Sequence, residues 1–143
     1  MVLIKNVGKN TPAYKAGVKN GDDLISINGN EIKDVLDYRY YICEKKLSGA
    51  LSGLGIAEWT KPLGGYFISM MVLPGTAKRV GELCKEAGLA ITKPGATYPY
   101  GKDPADSNIR IAPTFPSLSD LTLAMEGLTV CLRLAALEKL MAE

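Results

Sequence analysis

Leu121, Ala124, Met125, Leu128, Cys131, Leu132, Ala135 and Leu140 fall at the three- and four-residue steps of one helix face, and no other stretch limits the fold as tightly. Ser117 or Ser119 can cap this helix, because a hydroxyl there accepts a hydrogen bond from an orphan amide of the first turn. Gly127 lies inside it and costs about 1 kcal/mol relative to Ala, which the burial of several leucines at ~1.5–3 kcal/mol each offsets. The chain therefore closes on one long amphipathic helix.

Upstream, strand and helix signals alternate. Gly65 to Val72 is a β run bounded by Gly64-Gly65 and Pro74-Gly75. Thr76 can cap a helix that runs through Lys85 and stops at Gly88. Leu89 to Thr92 predicts a short strand, Lys93 to Asp106 a long loop rich in Pro, Gly and Tyr, and Asn108 to Ala112 another strand closed by Pro113. This part reads as α+β, a small antiparallel or mixed sheet packed by helices.

The first segment has a different character. Val2, Leu3, Ile4 and Val7 suit a strand, and Thr11-Pro12 places a cap before a Pro at the first position of one helical turn, Ala13 to Ala16, which Gly17 ends. Leu24, Ile25 and Ile27 predict a short buried strand that stops at Asn28-Gly29, a pair that favours positive φ. Asp34 can cap a helix carrying Val35, Leu36, Tyr38, Tyr41 and Ile42 at helical spacing and ending near Lys45-Lys46. The glycine-rich stretch 48–55 then separates the two parts. No Gly-Lys-Ser/Thr follows, so it reads as a flexible connection or a frayed helix and not as a phosphate-cradling loop. The expected organisation is 1–47, a junction at 48–55, and 56–143.

Composition excludes several functions. With 143 residues, 47% of them hydrophobic, the chain can bury a core, and a net charge of +2 gives no basic surface for nucleic acid. It has no histidine, which removes Ser-His-Asp and Cys-His catalysis and the commonest zinc ligand. Cys43, Cys84 and Cys131 are far apart in sequence and odd in number, so they read as reduced, mostly buried thiols of a cytoplasmic protein. No signal peptide or membrane span is encoded.

Four motifs carry a resemblance. Trp59 to Phe67 reads W-T-K-P-L-G-G-Y-F, Leu73 to Ala77 reads L-P-G-T-A, Gly95 to Gly101 reads G-A-T-Y-P-Y-G, and Asn108 to Pro113 reads N-I-R-I-A-P. In this order and spacing they resemble the C-terminal small domain of fold-type I pyridoxal-phosphate aminotransferases, over about residues 53–143. The resemblance implies that Arg110 receives the α-carboxylate of an amino-acid substrate, a role suited to the planar fork of a guanidinium. From the residues alone, Arg110 could equally be a strand residue with its head in solvent. Gly64 and Gly65 lie near the substrate in such enzymes, although two glycines can also simply start a strand. The family's Schiff-base lysine and phosphate cup belong to the large domain. Lys61, Lys78, Lys85, Lys93 and Lys102 all lie inside the small-domain match, outside the family's Ser-x-x-Lys setting, and read as surface lysines.

Asn10 to Ile32, reading N-T-P-A-Y-K-A-G-V-K-N-G-D-D-L-I-S-I-N-G-N-E-I, resembles the middle of a bacterial PDZ domain, with a likeness extending over residues 2–45. This implies a possible peptide C-terminus as partner, bound by strand addition. Only Met1 to Val7 precede the signature, and the strands that should follow its second helix are replaced.

Half of one fold followed by most of another is most simply explained by recombination of two parent segments. Such a chain is expected to have no catalytic activity of its own and no cofactor, pyridoxal phosphate entering only if a partner supplies the large domain. Unpartnered apolar surface and strand edges predict a homo-oligomer, with the C-terminal helix or a strand as the exchanged element.

Overall fold

The computed structural model describes residues 1–60, 67–114 and 116–143. Lys61, Gly64, Gly65 and the start of the predicted 65–72 strand therefore lie outside the described residues. The chain forms two compact units, Met1–Tyr41 and Ile42–Glu143.

In the first unit, β1 (Val2–Leu3) pairs antiparallel with β2 (Asp23–Leu24). The ladder runs on through Ile4, whose N–H donates to Asp22 O at 2.8 Å and whose carbonyl accepts from Gly21 N at 2.8 Å. Val7 is outside this strand, its N–H donating instead to the Asn20 side chain at 2.7 Å. α1 (Pro12–Lys15) has the predicted cap, with Tyr14 N donating to Thr11 Oγ1 at 3.2 Å. β3 (Ser26–Ile27) and β4 (Asn30–Glu31) form a hairpin turned by Asn28 at φ 50° and Gly29 at φ 79°, the paired positive φ that Asn-Gly supplies. The strand predicted through Leu24, Ile25 and Ile27 is split in two, and Ile25 is exposed where burial was expected.

α2 (Val35–Leu51) begins in the first unit and ends in the second. Its cap is Asp34, whose Oδ1 accepts from Leu36 N at 2.7 Å and Asp37 N at 3.0 Å. The helix continues past Lys46 because Cys43, Leu47 and Leu51, four residues apart, are all buried. Ser48–Leu51 of the expected junction is thus the last turn of α2, and 48–55 lies wholly within the second unit.

The second unit is built on an antiparallel sheet of order β5 (Ala57–Trp59), β6 (Ile68–Val72), β7 (Asn108–Ile111). Pairing of Ile68 with Ile111 and Met70 with Ile109 aligns the apolar residues on one buried face. Their core is completed by Val80, Leu83 and Cys84 of α3 (Ala77–Glu86) and by Leu121, Met125, Leu128 and Leu132 of α4 (Leu118–Ala142). This is the expected mixture of a small antiparallel sheet and helices.

Two local predictions differ from the structure. Thr76 does not cap α3: its hydroxyl donates to Leu73 O at 2.6 Å, and Asp106 caps the helix instead, accepting from Lys78 N at 3.1 Å through Oδ1 and from Ala77 N at 2.9 Å through its carbonyl. Leu89–Thr92 is no strand; Leu89 N donates to Cys84 O at 2.7 Å, closing the helix end. The Leu89 side chain lies so close to Gly127 that a Cβ there would come within 2.8 Å of it, which gives the glycine inside α4 a packing reason. The α4 cap is Ser117, whose Oγ accepts from Asp120 N at 3.1 Å.

All three cysteines are free and buried. Burial, with Cys131 alongside, pushes the Cys84 thiol up to about 12. Among the described residues, no helix is long and apolar enough to cross a membrane, and no group of three or more His, Cys, Asp or Glu could hold a metal ion.

Candidate functional site

The register that buries Ile109 and Ile111 turns Asn108 and Arg110 to the opposite face, because successive strand side chains alternate. Phe67, Ser69 and Met71 share that face, with Ser69 directly across from Arg110. The Arg110 guanidinium stacks on Phe67, its Cζ 4.1 Å from the ring centroid. A ring at this distance attracts the cation through its quadrupole and fixes the plane of the fork.

Arg110 Nε is buried and has no hydrogen-bond partner; among the described residues no other buried side-chain nitrogen or oxygen is left so. An orphaned buried donor costs ~1–3 kcal/mol, and more when charged. The Arg110 guanidinium is therefore stacked, half-buried and left with an unused donor.

The loop 93–106 holds β7 in place. Asp103 Oδ2 accepts from Ser107 N at 2.7 Å and Asn108 N at 2.8 Å, and its Oδ1 from Ala105 N at 3.0 Å. Desolvation pushes the Asp103 carboxyl up, but the backbone donors of Ser107, Asn108, Ala105 and Asp106 outweigh it and hold the carboxyl below its ordinary range. Asn108 is saturated: its amide donates to Ser69 Oγ at 3.0 Å, and its Oδ1 accepts from Thr97 Oγ1 at 2.8 Å. Gly95 lets the loop fold back on itself at φ +84°, where a Cβ would stand 2.5 Å from Gly101 O. Thus Gly95, Thr97, Asp103 and Asn108 position the residue beside Arg110.

Of the residues singled out in the sequence, the structure places Arg110 as described, and Gly64 and Gly65 lie outside the described residues. Lys78, Lys85, Lys93 and Lys102 are exposed; they line a groove of about 730 Å³ between α3 and the loop, whose walls do not include Arg110. Phe67, Asn108 and Asp103 were not singled out. The alternation of Phe67, Ser69 and Met71 opposite Asn108 and Arg110 was the available signal for the first two, and nothing in the sequence separated Asp103 from Asp106.

An antiparallel sheet backed by helices thus carries the Arg110 guanidinium on the face opposite its core. The family model described as aspartate amino-transferase matches residues 18–143, and the chain belongs to that family. It is 46% identical over 109 residues to an aspartate aminotransferase of Corynebacterium glutamicum, covering 76% of this chain and 23% of that one. The crystal structure of an aspartate transaminase from Corynebacterium glutamicum superposes with a TM-score of 0.71 at 46% identity, over 73% of this chain and 24% of the other. An archaeal alanine:glyoxylate aminotransferase shares the fold, with a TM-score of 0.57 at 21% identity over 68% of this chain and 24% of that one. The chain spans about a quarter of the length of these relatives.

The likeness reaches further toward the N-terminus than residue 53. An aligned stretch of 109 residues leaves 34 of the 143 outside, so wherever it starts it includes residues 35–109 and all of α2. The PDZ resemblance of residues 2–45 rests on its motif alone.

Pyridoxal phosphate is the cofactor the family implies, and the described residues do not fit it. The N-termini of α2, α3 and α4, which could have cradled a phosphate, are already capped by Asp34, Asp106 and Ser117. Lys78, Lys85, Lys93 and Lys102 offer no recessed amine for an imine.

Proposed function

We propose that this chain is the small-domain portion of an aspartate-aminotransferase-type enzyme, in which Arg110 receives the α-carboxylate of an amino-acid substrate. The observation that carries this reading is the buried, partnerless Arg110 Nε beside a ring that fixes the fork. A carboxylate pairs bidentately with a guanidinium fork, which is a stronger contact than either a neutral acceptor or water provides. Aspartate, named in the relatives, is the first substrate to try.

The same reading holds that the chain transfers no amino group alone, because among the described residues the capped N-termini of α2, α3 and α4 and the exposed Lys78, Lys85, Lys93 and Lys102 offer no place for the cofactor. A large domain supplied by other residues or by a partner would bring the lysine and the phosphate cup. Residues 2–45 are read as derived from a PDZ-type parent on the strength of the Asn10–Ile32 motif alone, and the family match from Val18 overlaps most of that motif.

Incubating the purified chain with pyridoxal phosphate and recording its visible spectrum tests this. The expected result is no stoichiometric imine band and no spectral change on adding aspartate. A stoichiometric band abolished by changing one lysine would overturn it.

A further inference from the structure

Ser69 stands directly across from Arg110 on the open face of the sheet. Side chains opposed in an antiparallel pair have Cβ atoms about 4.5–5.5 Å apart, so the Ser69 hydroxyl sits beside the base of the Arg110 side chain. That is the side of the guanidinium that carries Nε, the buried donor without a partner. Both residues are half-buried.

The hydroxyl has an acceptor role already filled and a proton still unused. Asn108 Nδ2 donates to Ser69 Oγ at 3.0 Å and to Met70 O at 3.4 Å, while Asn108 Oδ1 accepts from Thr97 Oγ1 at 2.8 Å. A backbone carbonyl can only accept, so the amide nitrogen is the atom turned toward Met70 and Ser69, and Ser69 Oγ is the acceptor in its pair. Among the described residues, no acceptor takes the Ser69 proton. The Asn108 backbone is itself fixed, its N–H donating to Asp103 Oδ2 at 2.8 Å. Thr97, Asn108 and Ser69 therefore form a directed chain in which each bond polarises the next and strengthens the last hydroxyl as a donor.

We propose that Ser69 is a second donor of this site, its hydroxyl donating to the carboxylate that pairs with Arg110. This rests on the reading of Arg110 as a carboxylate receptor and adds a residue to it. Two unused donors, one charged and one neutral, face each other across one strand pair. A carboxylate has lone pairs enough for the guanidinium fork and a hydroxyl together, and it is acceptor-only, so both protons find a partner in one ligand. Phe67 stacks on the guanidinium and offers no such donor, which leaves the hydroxyl to fix the ligand on the Ser69 side.

The test titrates the full chain, carrying isotopically labelled arginine, with aspartate at constant ionic strength and follows the Arg110 Nε–H resonance by NMR, assigned by its loss in Arg110→Met. Wild type is expected to give a saturable shift. Ser69→Ala should weaken Kd by about tenfold, the lower end for a hydrogen bond to a charged group, with its ligand-free Nε resonance where wild type has it. Ser69→Thr keeps the hydroxyl and should bind as wild type does. So should Thr60→Val, since Thr60, whose N–H donates to Ser69 O at 3.1 Å, lies one strand further from Arg110. An unchanged Kd in Ser69→Ala, a Ser69→Thr as weak as Ser69→Ala, or an equal loss in Thr60→Val overturns the proposal and leaves the Arg110 reading standing. A weaker Kd with a displaced ligand-free resonance does the same, because Ser69 would then act by placing Arg110. A wild-type Nε that does not respond to aspartate overturns the reading and the proposal together.

Discussion

Gly95→Ala should unfold the second unit far more readily than its single methyl group suggests. At φ +84° the new Cβ brings the left-handed strain of an L-residue, ~1–2 kcal/mol. It also stands 2.5 Å from Gly101 O and 3.2 Å from Gly101 C, both backbone atoms that no rotamer can move aside. Overpacking of this kind costs ~1–3 kcal/mol, and the stiffer unfolded chain returns ~0.4–1 kcal/mol. The net loss is about 2–4 kcal/mol, a fall of roughly 10–20 °C in Tm for a unit of this size. Gly101→Ala is the matched control, at φ +67° with nothing within 4 Å of its Cβ, so it keeps the strain and lacks the collision. Thermal melts followed by far-ultraviolet circular dichroism compare the two. Equal losses in both variants would show that the loop does not close on itself as described.

Arg110→Met removes the partnerless Nε and keeps most of the stem, so the ligand-free chain should hold its stability or gain up to ~1–2 kcal/mol in urea melts; a loss above ~1 kcal/mol would mean that Arg110 is structural. Asp103 has a folded-state carboxyl held below its ordinary range, so its contribution is complete above ~3.9, the usual Asp value, and disappears as pH falls through the folded value. Asp103→Asn should therefore show a shallower loss of stability below pH ~4 than wild type, measured by urea titration across pH. Native Cys43, Cys84 and Cys131 should react slowly with a thiol reagent and all three promptly in denaturant, because they are buried and Cys84 resists ionisation.

How much of this could be read from the sequence depended on where the cause lay. The Thr11 and Asp34 caps, the Asn28-Gly29 turn and the apolar periodicity of α4 are set within a few residues, and each has the predicted form, except that Leu140, near the end of α4, is exposed and does not join the buried face. The run past Lys46 in α2 was hidden because Ser48 and Gly49 are poor helix formers, and only the burial of Leu47 and Leu51 overrides them. Leu89–Thr92 has strand composition but meets no strand edge; Leu89 is committed to Gly127, far along the chain. Asp106 displaced Thr76 as the α3 cap for the same kind of reason, since the competing acceptor arrives from a distant loop. In the site, the motif located Arg110 and the alternation of β7 gave its face. The orphaned Nε and the Phe67 stack are products of the register between β6 and β7, which no local pattern states.

The central claim is that Arg110 is the carboxylate-binding half of an amino-acid site. It is tested most directly by replacing the corresponding segment of the Corynebacterium glutamicum aspartate aminotransferase with residues 18–143 of this chain and measuring kcat/KM for aspartate. The exchanged enzyme should transaminate, and Arg110→Ala in it should lower kcat/KM by roughly 30- to 1,000-fold, the loss of ~2–4 kcal/mol expected when a bidentate charged contact is removed. An exchanged enzyme whose kcat/KM is unchanged by Arg110→Ala would contradict the account.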